Sequence, residues 1–219
     1  MRRLTGAVFQ SLDGVMQAPG APDEDRSGGF EFGGWLAGHY DEEFGEELDR
    51  LFSGSFDLLL GRRTYDIFAA YWPYNQDNPV GAKFQTAGKY VLTHSDQPLE
   101  WDNSQRVDSI DALARLKQGD GPDLVIQGSS TLYPQLLEAG LIDKLILMSF
   151  PVVLGKGKRL FGEGTPPGAM RMVGHRVTAA GTVIATYEPN GEVATGSFAT
   201  KEPSKAELER REKVDEGEW

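Results

Sequence analysis

Short apolar runs alternate along this chain with segments of helical periodicity, and that alternation predicts most of its elements. Leu4 to Phe9, Phe56 to Leu60, Lys89 to Thr93 and Leu124 to Ile126 read as strands, the last of the kind buried on both faces. Between the first two, Asp41 to Phe52 sets Phe44, Leu48, Leu51 and Phe52 on one helical face and carboxylates on the other, with an acid-rich start that suits the helix dipole. Gly61-Arg62-Arg63-Thr64-Tyr65 opens a second helix, which Pro73 ends. Ser109 caps a third, carrying Ile110, Leu113 and Leu116 and closed by Gly119. After Leu124 to Ile126 comes a turn of small residues, Gln127-Gly128-Ser129-Ser130-Thr131. Leu132, Leu136, Leu137 and Ala139 then recur at helical spacing, Gly140 sits where a C-terminal cap belongs, and Leu141 to Met148 is a further apolar run. Met170 to Ala179 and Thr182 to Tyr187 read as strands with no helix between them, and Pro189-Asn190-Gly191 is placed to return the chain as a hairpin. Four successive strand–helix–strand steps predict an α/β fold, a mostly parallel central sheet with helices on both faces and an antiparallel C-terminal edge.

Composition narrows the possibilities. The chain has 219 residues, 39% hydrophobic and 25% charged, as a globular protein has, and no linker-like stretch divides residues 1–198, so one domain is expected there. Residues 199–219 are polar and charged. Ser204-Lys-Ala-Glu207 could form a capping box, but Leu208 and Val214 offer too little apolar surface to dock a helix, so a disordered tail is expected. The net charge of −11 argues against nucleic acid as a partner. The absence of cysteine excludes disulfides, thiolate chemistry and cysteine-ligated metals. No apolar run reaches the length of a signal peptide core or a membrane span, so the cytoplasm is the expected location. His39, His94 and His175 form no helical metal motif, and no metal is expected. Residues 17–34, rich in Gly, Pro and acid, make a loop long enough to be functional or disordered.

The chemistry concentrates where strands run into helices. A helix that begins on Gly128-Ser129-Ser130 points free N–H groups away from the carboxyl end of a strand, an arrangement that favours a phosphate. An ordinary capped helix accounts for that stretch equally well. Gly61 to Thr64 is a second such junction, with two arginines able to grip phosphate in bidentate fashion. Thr93 to Ser95 is a third, and all three belong to the sheet edge where α/β folds bind ligands. A dinucleotide needs several phosphate sites on one face. There is no Gly-x-Gly-x-x-Gly fingerprint, no Walker lysine motif and no Gly-x-Ser-x-Gly elbow, which argues against a standard Rossmann site, nucleoside triphosphate hydrolysis and serine hydrolase chemistry.

Ser11-Leu12-Asp13-Gly14, Leu59-Leu60-Gly61-Arg62-Arg63-Thr64-Tyr65, Val91-Leu92-Thr93, Val125-Ile126-Gln127-Gly128-Ser129-Ser130-Thr131-Leu132 and Phe150-Pro151-Val152-Val153-Leu154-Gly155-Lys156-Gly157 follow one another in an order that resembles the dihydrofolate reductase-like superfamily. More narrowly they resemble the branch of the riboflavin-biosynthesis C-terminal reductase domain, over about residues 2–198. The resemblance implies a dihydrofolate reductase-like fold, NADPH as hydride donor, a small-molecule substrate and a homodimer. It implies that Gly61, Arg62, Arg63 and Thr64 meet the 2′-phosphate and pyrophosphate, that Thr93 and Ser95 lie by the adenosine half, and that Gln127, Gly128, Ser129, Ser130, Thr131 and Leu132 hold the pyrophosphate. Gly155 and Gly157 would let backbone approach the cofactor.

Two departures bear on that reading. Dihydrofolate reductases carry a Gly-Gly pair joined by a cis peptide before the phosphate-binding helix, where this chain has Gln127-Gly128; a cis bond at a non-proline costs about 3–4 kcal/mol and is not expected here. Riboflavin-pathway reductases carry an Asp-x-Pro segment after the threonine, where this chain has Tyr65-Asp66-Ile67-Phe68-Ala69-Ala70-Tyr71-Trp72-Pro73. Those aromatics suggest a flat or apolar substrate. On the substrate side Asp41 is the nearest match to the pterin-binding carboxylate, against a purely local role as an acid at a helix start. Asp13 is placed to polarise a substrate or order water, against a common Asp-Gly turn. Three readings follow: a reductase acting on the C=N or C=O of a planar heterocycle (pterin-, pyrimidine- or flavin-precursor-like), a non-catalytic NADP(H)-binding protein, and 5-amino-6-(5-phosphoribosylamino)uracil reductase itself.

Overall fold

The computed structural model describes residues 1–199 and 201–218; Thr200 and Trp219, within the tail expected at 199–219, lie outside the described residues. The strands are β1 (Leu4–Ser11), β2 (Phe56–Gly61), β3 (Lys89–Leu92), β4 (Ser104–Val107), β5 (Asp123–Gln127), β6 (Lys144–Phe150), β7 (Met170–Val177) and β8 (Val183–Pro189). β2 is buried along its whole length and β5 at every position but the first. Strands with no polar face belong inside a sheet covered on both sides, and the observed order is β4-β3-β2-β5-β1-β6-β8-β7. β4 through β6 in that order are parallel, and β8 and β7 add the antiparallel edge.

The helices are α1 (Glu42–Leu51), α2 (Arg62–Tyr71), α3 (Pro79–Thr86), α4 (Ile110–Gln118), α5 (Tyr133–Glu138) and α6 (Lys205–Asp215). Alternation along the strands divides the core into two layers. Leu4, Val8, Leu59, Leu124 and Ile126 pack with Leu113, Tyr133 and Leu136 of α4 and α5. Ala7, Leu58, Leu60 and Val125 pack with Phe44, Tyr65 and Phe84 of α1, α2 and α3, an aromatic-rich layer.

The structure departs from the sequence reading in four places. α3 and β4 were not legible: α3 offers little apolar surface beyond Val80 and Phe84, and β4 is a four-residue edge strand with exposed Gln105 and Arg106. The hairpin joining β7 to β8 turns at Thr178–Thr182, where Gly181 takes a φ of 84° and Thr178 N–H donates to the Thr182 carbonyl at 2.9 Å. Asn190 and Gly191 instead pair with Ala169 at the open end of that ladder. The tail carries a helix, α6, where disorder was expected. Its reasons are local: Ser204 Oγ accepts from the Glu207 amide, and Glu207 gathers Arg210 and Arg211. It buries no residue against the rest of the chain.

At the amino ends of the strands, Arg2 is 2% exposed, pairs with Asp57 and also donates through Nε to the Pro122 carbonyl. Asp57 accepts from the Gly88 amide at 2.8 Å, and the guanidinium lies 4.9 Å from the Tyr90 ring centroid. This ties the first strand, β2 and the loops before β3 and β5 into one unit. Truncating one member leaves the other charge buried and unpaired, so Asp57→Ala should cost about 3–5 kcal/mol in urea unfolding. Replacing both, Arg2→Met with Asp57→Leu, should recover most of that loss; a double variant no more stable than Asp57→Ala would refute the account.

Candidate functional site

The carboxyl ends of β2, β3 and β5 open onto one cavity of about 1320 Å³, which Gly61 to Thr64, Thr93, and Gln127 to Leu132 all help to line. The three junctions therefore share one rim. Their geometry starts at Gly128 and Ser129, which take left-handed φ values of 68° and 58°. A Cβ at Gly128 would sit 3.0 Å from Thr64 Cγ2, so only glycine fits that approach without a shift. Ser129 then stitches two junctions together: its amide donates to Thr64 Oγ1 at 3.0 Å, and its Oγ accepts from the Gly61 amide at 2.9 Å. A short 3₁₀ turn, Ser130–Leu132, leads into α5. Leu132 N–H closes that turn on the Ser129 carbonyl, while the amides of Ser130 and Thr131 have no protein acceptor among the described residues. Two N–H groups beside the cavity are thus left unclaimed at the start of this element. The Gln127–Gly128 peptide is trans.

The arginines differ in state. Arg62 is held: its Nε donates to both Asp66 oxygens at 2.9 and 3.1 Å, and its Nη1 donates to the Gln97 carbonyl at 2.9 Å. Arg63 is 61% exposed at its side chain and reaches over to Ser27 Oγ at 3.2 Å and Asp25 at 3.9 Å. Thr93 lines the cavity; its Oγ1 accepts from the Ser95 amide at 3.0 Å.

A second wall comes from the loop after β1. Val15 bridges to Arg159, and Met16 N–H donates to the Lys158 carbonyl at 2.8 Å, which lays the following loop along the 158 segment. Gln17 Nε2 donates to the carbonyls of Asp25 and Ser27 at 3.0 and 2.9 Å, while its Oε1 accepts from Lys158 N–H at 3.1 Å. Lys158 Nζ pairs with Asp25 and donates to Ser27 Oγ at 2.7 Å. Residues 17–34 are thus an ordered loop, of which Gln17 to Ala21 and Asp23 to Asp25 line the cavity. Burial raises the pKa of Asp25, but hydrogen bonds from Lys158 and Ser27 outweigh it and hold the carboxyl below its ordinary range. Burial pushes Glu24 the other way, above the usual glutamate range, against the Gly20 and Ala21 amides that bind its Oε2 at 2.7 and 3.2 Å. The third wall is apolar, with Phe9, Leu48, Ile67, Phe68, Tyr71 and Trp72.

Several residues singled out from sequence lie elsewhere. Asp13 does not line the cavity. It accepts from Ser11 Oγ at 2.6 Å and from the Leu154 and Gly155 amides at 3.0 and 2.8 Å, and it pairs with Arg159 at 3.2 Å. Burial works to raise its pKa, but those donors prevail and hold it at about 2. It is a clip between the turn after β1 and the segment after β6. Asp41 also stays outside the cavity; it caps α1 by accepting from Phe44 N–H at 2.8 Å and ties α1 to the β7–β8 hairpin through Ala180 N–H at 2.8 Å. Hydrogen bonds from Thr178 and Ala180 lower its pKa. Its observed partners are the start of α1 and the β7–β8 hairpin. Ser95, Gly155 and Gly157 do not line the cavity either. Ser95 Oγ accepts from Gln97 N–H, and a Cβ on Gly157 would meet Val15 Cγ1 at 2.5 Å, so this glycine serves packing against the loop. His94 lines the cavity beside Thr93, within the junction expected there, although it was not singled out as a site residue. Glu24 and Lys158 line it as well and carry no local pattern; the pairing of residue 16 with residue 158 brings their segments together. Among the described residues no group of three or more histidine and carboxylate side chains could hold a metal, and no helix is long and apolar enough to cross a membrane.

Comparison with known proteins agrees with this architecture. The family model of the RibD C-terminal domain matches residues 2–184. The uncharacterized protein YyaP of Bacillus subtilis (strain 168) is 29% identical over 139 residues, which span 61% of this chain and 74% of that protein. A crystal structure from Shewanella sp. PV-4, of a protein named for riboflavin biosynthesis, superposes with a TM-score of 0.58 at 22% identity, over 86% of this chain and 99% of the other. Dihydrofolate reductase from Enterococcus faecalis, solved with NADP(H), superposes with a TM-score of 0.55 at 18% identity, over 86% of this chain and 96% of that one. At such identities the superpositions establish the fold.

The clip formed by Asp13 sets a pH dependence. Its folded pKa, about 2, lies below the ordinary aspartate value of 3.8, so its contribution is present at neutral pH and is lost as pH falls through the folded value. Asp13→Asn should lower stability at pH 7 by on the order of 1 kcal/mol, its carboxylate being partly solvated. In urea unfolding the difference from wild type should shrink as pH falls from about 4 towards about 2; a difference that stays constant over that range would remove Asp13 from this role.

Proposed function

The chain belongs to the RibD C-terminal domain family, and on that footing we propose that it is an NADPH-dependent reductase acting on a C=N or C=O bond of a planar heterocyclic small molecule. One observation carries the reading: the carboxyl ends of β2, β3 and β5 surround one cavity, and beside its two arginines the amides of Ser130 and Thr131 have no protein acceptor among the described residues. Those groups fit a dinucleotide. The Ser130 and Thr131 amides and Thr64 suit a pyrophosphate, whereas Arg62 and Arg63 suit the additional 2′-phosphate. Gln97 and Asp66 hold Arg62 in place beforehand, so little side-chain entropy is lost when it meets an anion. When bound, the cofactor supplies the hydride; the protein supplies position and surroundings. Phe68, Tyr71 and Trp72 offer aromatic faces and edges against which a ring can pack. They stand where riboflavin-pathway reductases carry Asp-x-Pro, which favours a planar ring over a ribityl phosphate as substrate. Glu24 is the cavity carboxyl able to keep a proton to higher pH than an ordinary glutamate.

A specific observation favours the alternative of a non-catalytic NADP(H)-binding protein: neither Asp13 nor Asp41 reaches the cavity. The homodimer is proposed in the same way, with exposed Met172, Val173 and Val177 on the edge strand β7 as apolar surface for a second copy.

Titration with each cofactor tests the central claim. The protein should bind NADPH more tightly than NADH, and Arg62→Ala should remove about tenfold of that preference, the worth of a charge-assisted contact to the extra phosphate. Equal affinity of the wild type for both cofactors would count against the assignment of the arginines. Oxidation of NADPH in the presence of dihydrofolate, the riboflavin-pathway pyrimidine or a pterin would dismiss the binding-only alternative.

A further inference from the structure

Gln127 ends β5 where the phosphate cradle meets the aromatic layer. It lines the cavity and is 8% exposed. Among the described residues lining the cavity, it alone has a buried side-chain polar atom, Oε1, without a hydrogen-bond partner, and its Nε2 donates to no protein group. Its direction follows from the strand. Leu124 and Ile126 belong to the layer under α4 and α5, whereas Val125 belongs to the aromatic layer, so Gln127 projects with Val125 onto the aromatic side. Its neighbour across the ladder is Ala7, whose small side chain leaves room above it.

A buried carboxamide with no partner is costly, and an aliphatic residue would serve the strand better. The site therefore holds a polar group that no protein atom among the described residues completes and that faces the cavity. A carboxamide offers a donor beside an acceptor, and rotation about its last torsion exchanges the two. A phosphate, which only accepts, satisfies half of it. An amide edge, N–H next to C=O, satisfies both halves with a pair of parallel hydrogen bonds.

We propose that Gln127 is the specificity-determining residue of this cavity, reading the amide edge of a flat ring that rests on the aromatic wall. The inference deepens the reductase reading and rests on it for the identity of the ring. Two rings carry that edge, the carboxamide of a nicotinamide and the lactam of a heterocyclic substrate.

The test uses the full chain with Gln127→Leu, or Gln127→Met should the first fail to fold. The probes are NADPH, its 3-acetylpyridine analogue (which lacks the amide N–H) and lumazine, a planar bicyclic lactam. The variant should melt about 2–4 °C higher than wild type, because the unpaired group is gone, and should bind NADPH or lumazine about tenfold more weakly. A loss for NADPH, matched by a similar weakness of wild type for the acetylpyridine analogue, assigns the edge to the cofactor. A loss for lumazine alone assigns it to the substrate. Binding of both within twofold of wild type overturns the proposal, as does a variant that melts lower and loses both probes equally, which marks a structural role. Wild-type protein that binds lumazine but no dinucleotide sinks the reductase reading, and Gln127 then stands or falls on the lumazine result. Wild-type protein that binds neither overturns both.

Discussion

The hydrogen bonds from Ser129 N–H to Thr64 Oγ1 and from Gly61 N–H to Ser129 Oγ hold together two segments 65 and 68 residues apart in sequence. Everything at the rim depends on them. Left-handed backbone at a serine costs about 1–2 kcal/mol, and two hydrogen bonds of about 1 kcal/mol each offset it. The outcome is a chain reversal that consumes the amides of Gly61 and Ser129 within the protein and leaves those of Ser130 and Thr131 directed to whatever enters. The turn is thus held by the protein's own hydrogen bonds, and Gly128 is required because Thr64 closes in on it.

Charge follows the same local logic. The chain carries a net −11, and a distant anion meets an unfavourable field. Beyond about 8 Å at physiological ionic strength that field is screened, and at the cavity Arg62, Arg63 and Lys158 share the lining with Asp23, Glu24, Asp25 and Asp49, so the pairing of these groups sets the local potential. Asp25 sits between Lys158 and Arg63 and pairs with both, so part of the positive charge is held by the loop. An anion that recruits Arg63 competes with Asp25 for it, which couples the loop after β1 to occupancy of the cradle.

The aromatic layer gives the cavity its second character. Phe68, Trp72 and Phe84 stack and pack edge-on as part of the core, and all three also line the cavity. The core and this wall of the cavity are one surface, so the wall is held by the packing of the core. Gln127 interrupts that apolar floor with a single unsatisfied carboxamide. Asp13 and Asp41 show the reverse economy: each has its oxygens committed to backbone amides that join elements, and each is lowered in pKa by doing so.

Patterns carried within short stretches of this sequence were enough for the fold class. Apolar runs, Ser109 and Asp41 as caps, Gly140 past α5 and the strand–helix alternation together specify a parallel sheet with covered faces, because those signals act over a few residues and each agrees with the next. The turns after β2 and β5 were legible for the same reason, as each is a local strand-to-helix turn, whereas β3 runs through a loop into β4 instead of into a helix. The roles of Asp13, Asp41, Ser95 and Gly157 were not, since a carboxylate's function depends on which donors surround it, and those donors come from the segments after β6 and β7. Glu24 and Lys158 reach the cavity through the tertiary pairing of the segments that carry them. Sequence by itself determined the strand–helix alternation of most of the sheet and the turns at its carboxyl ends; the packed structure decided which polar groups are already spoken for, because hydrogen-bond satisfaction is settled by neighbours remote along the chain.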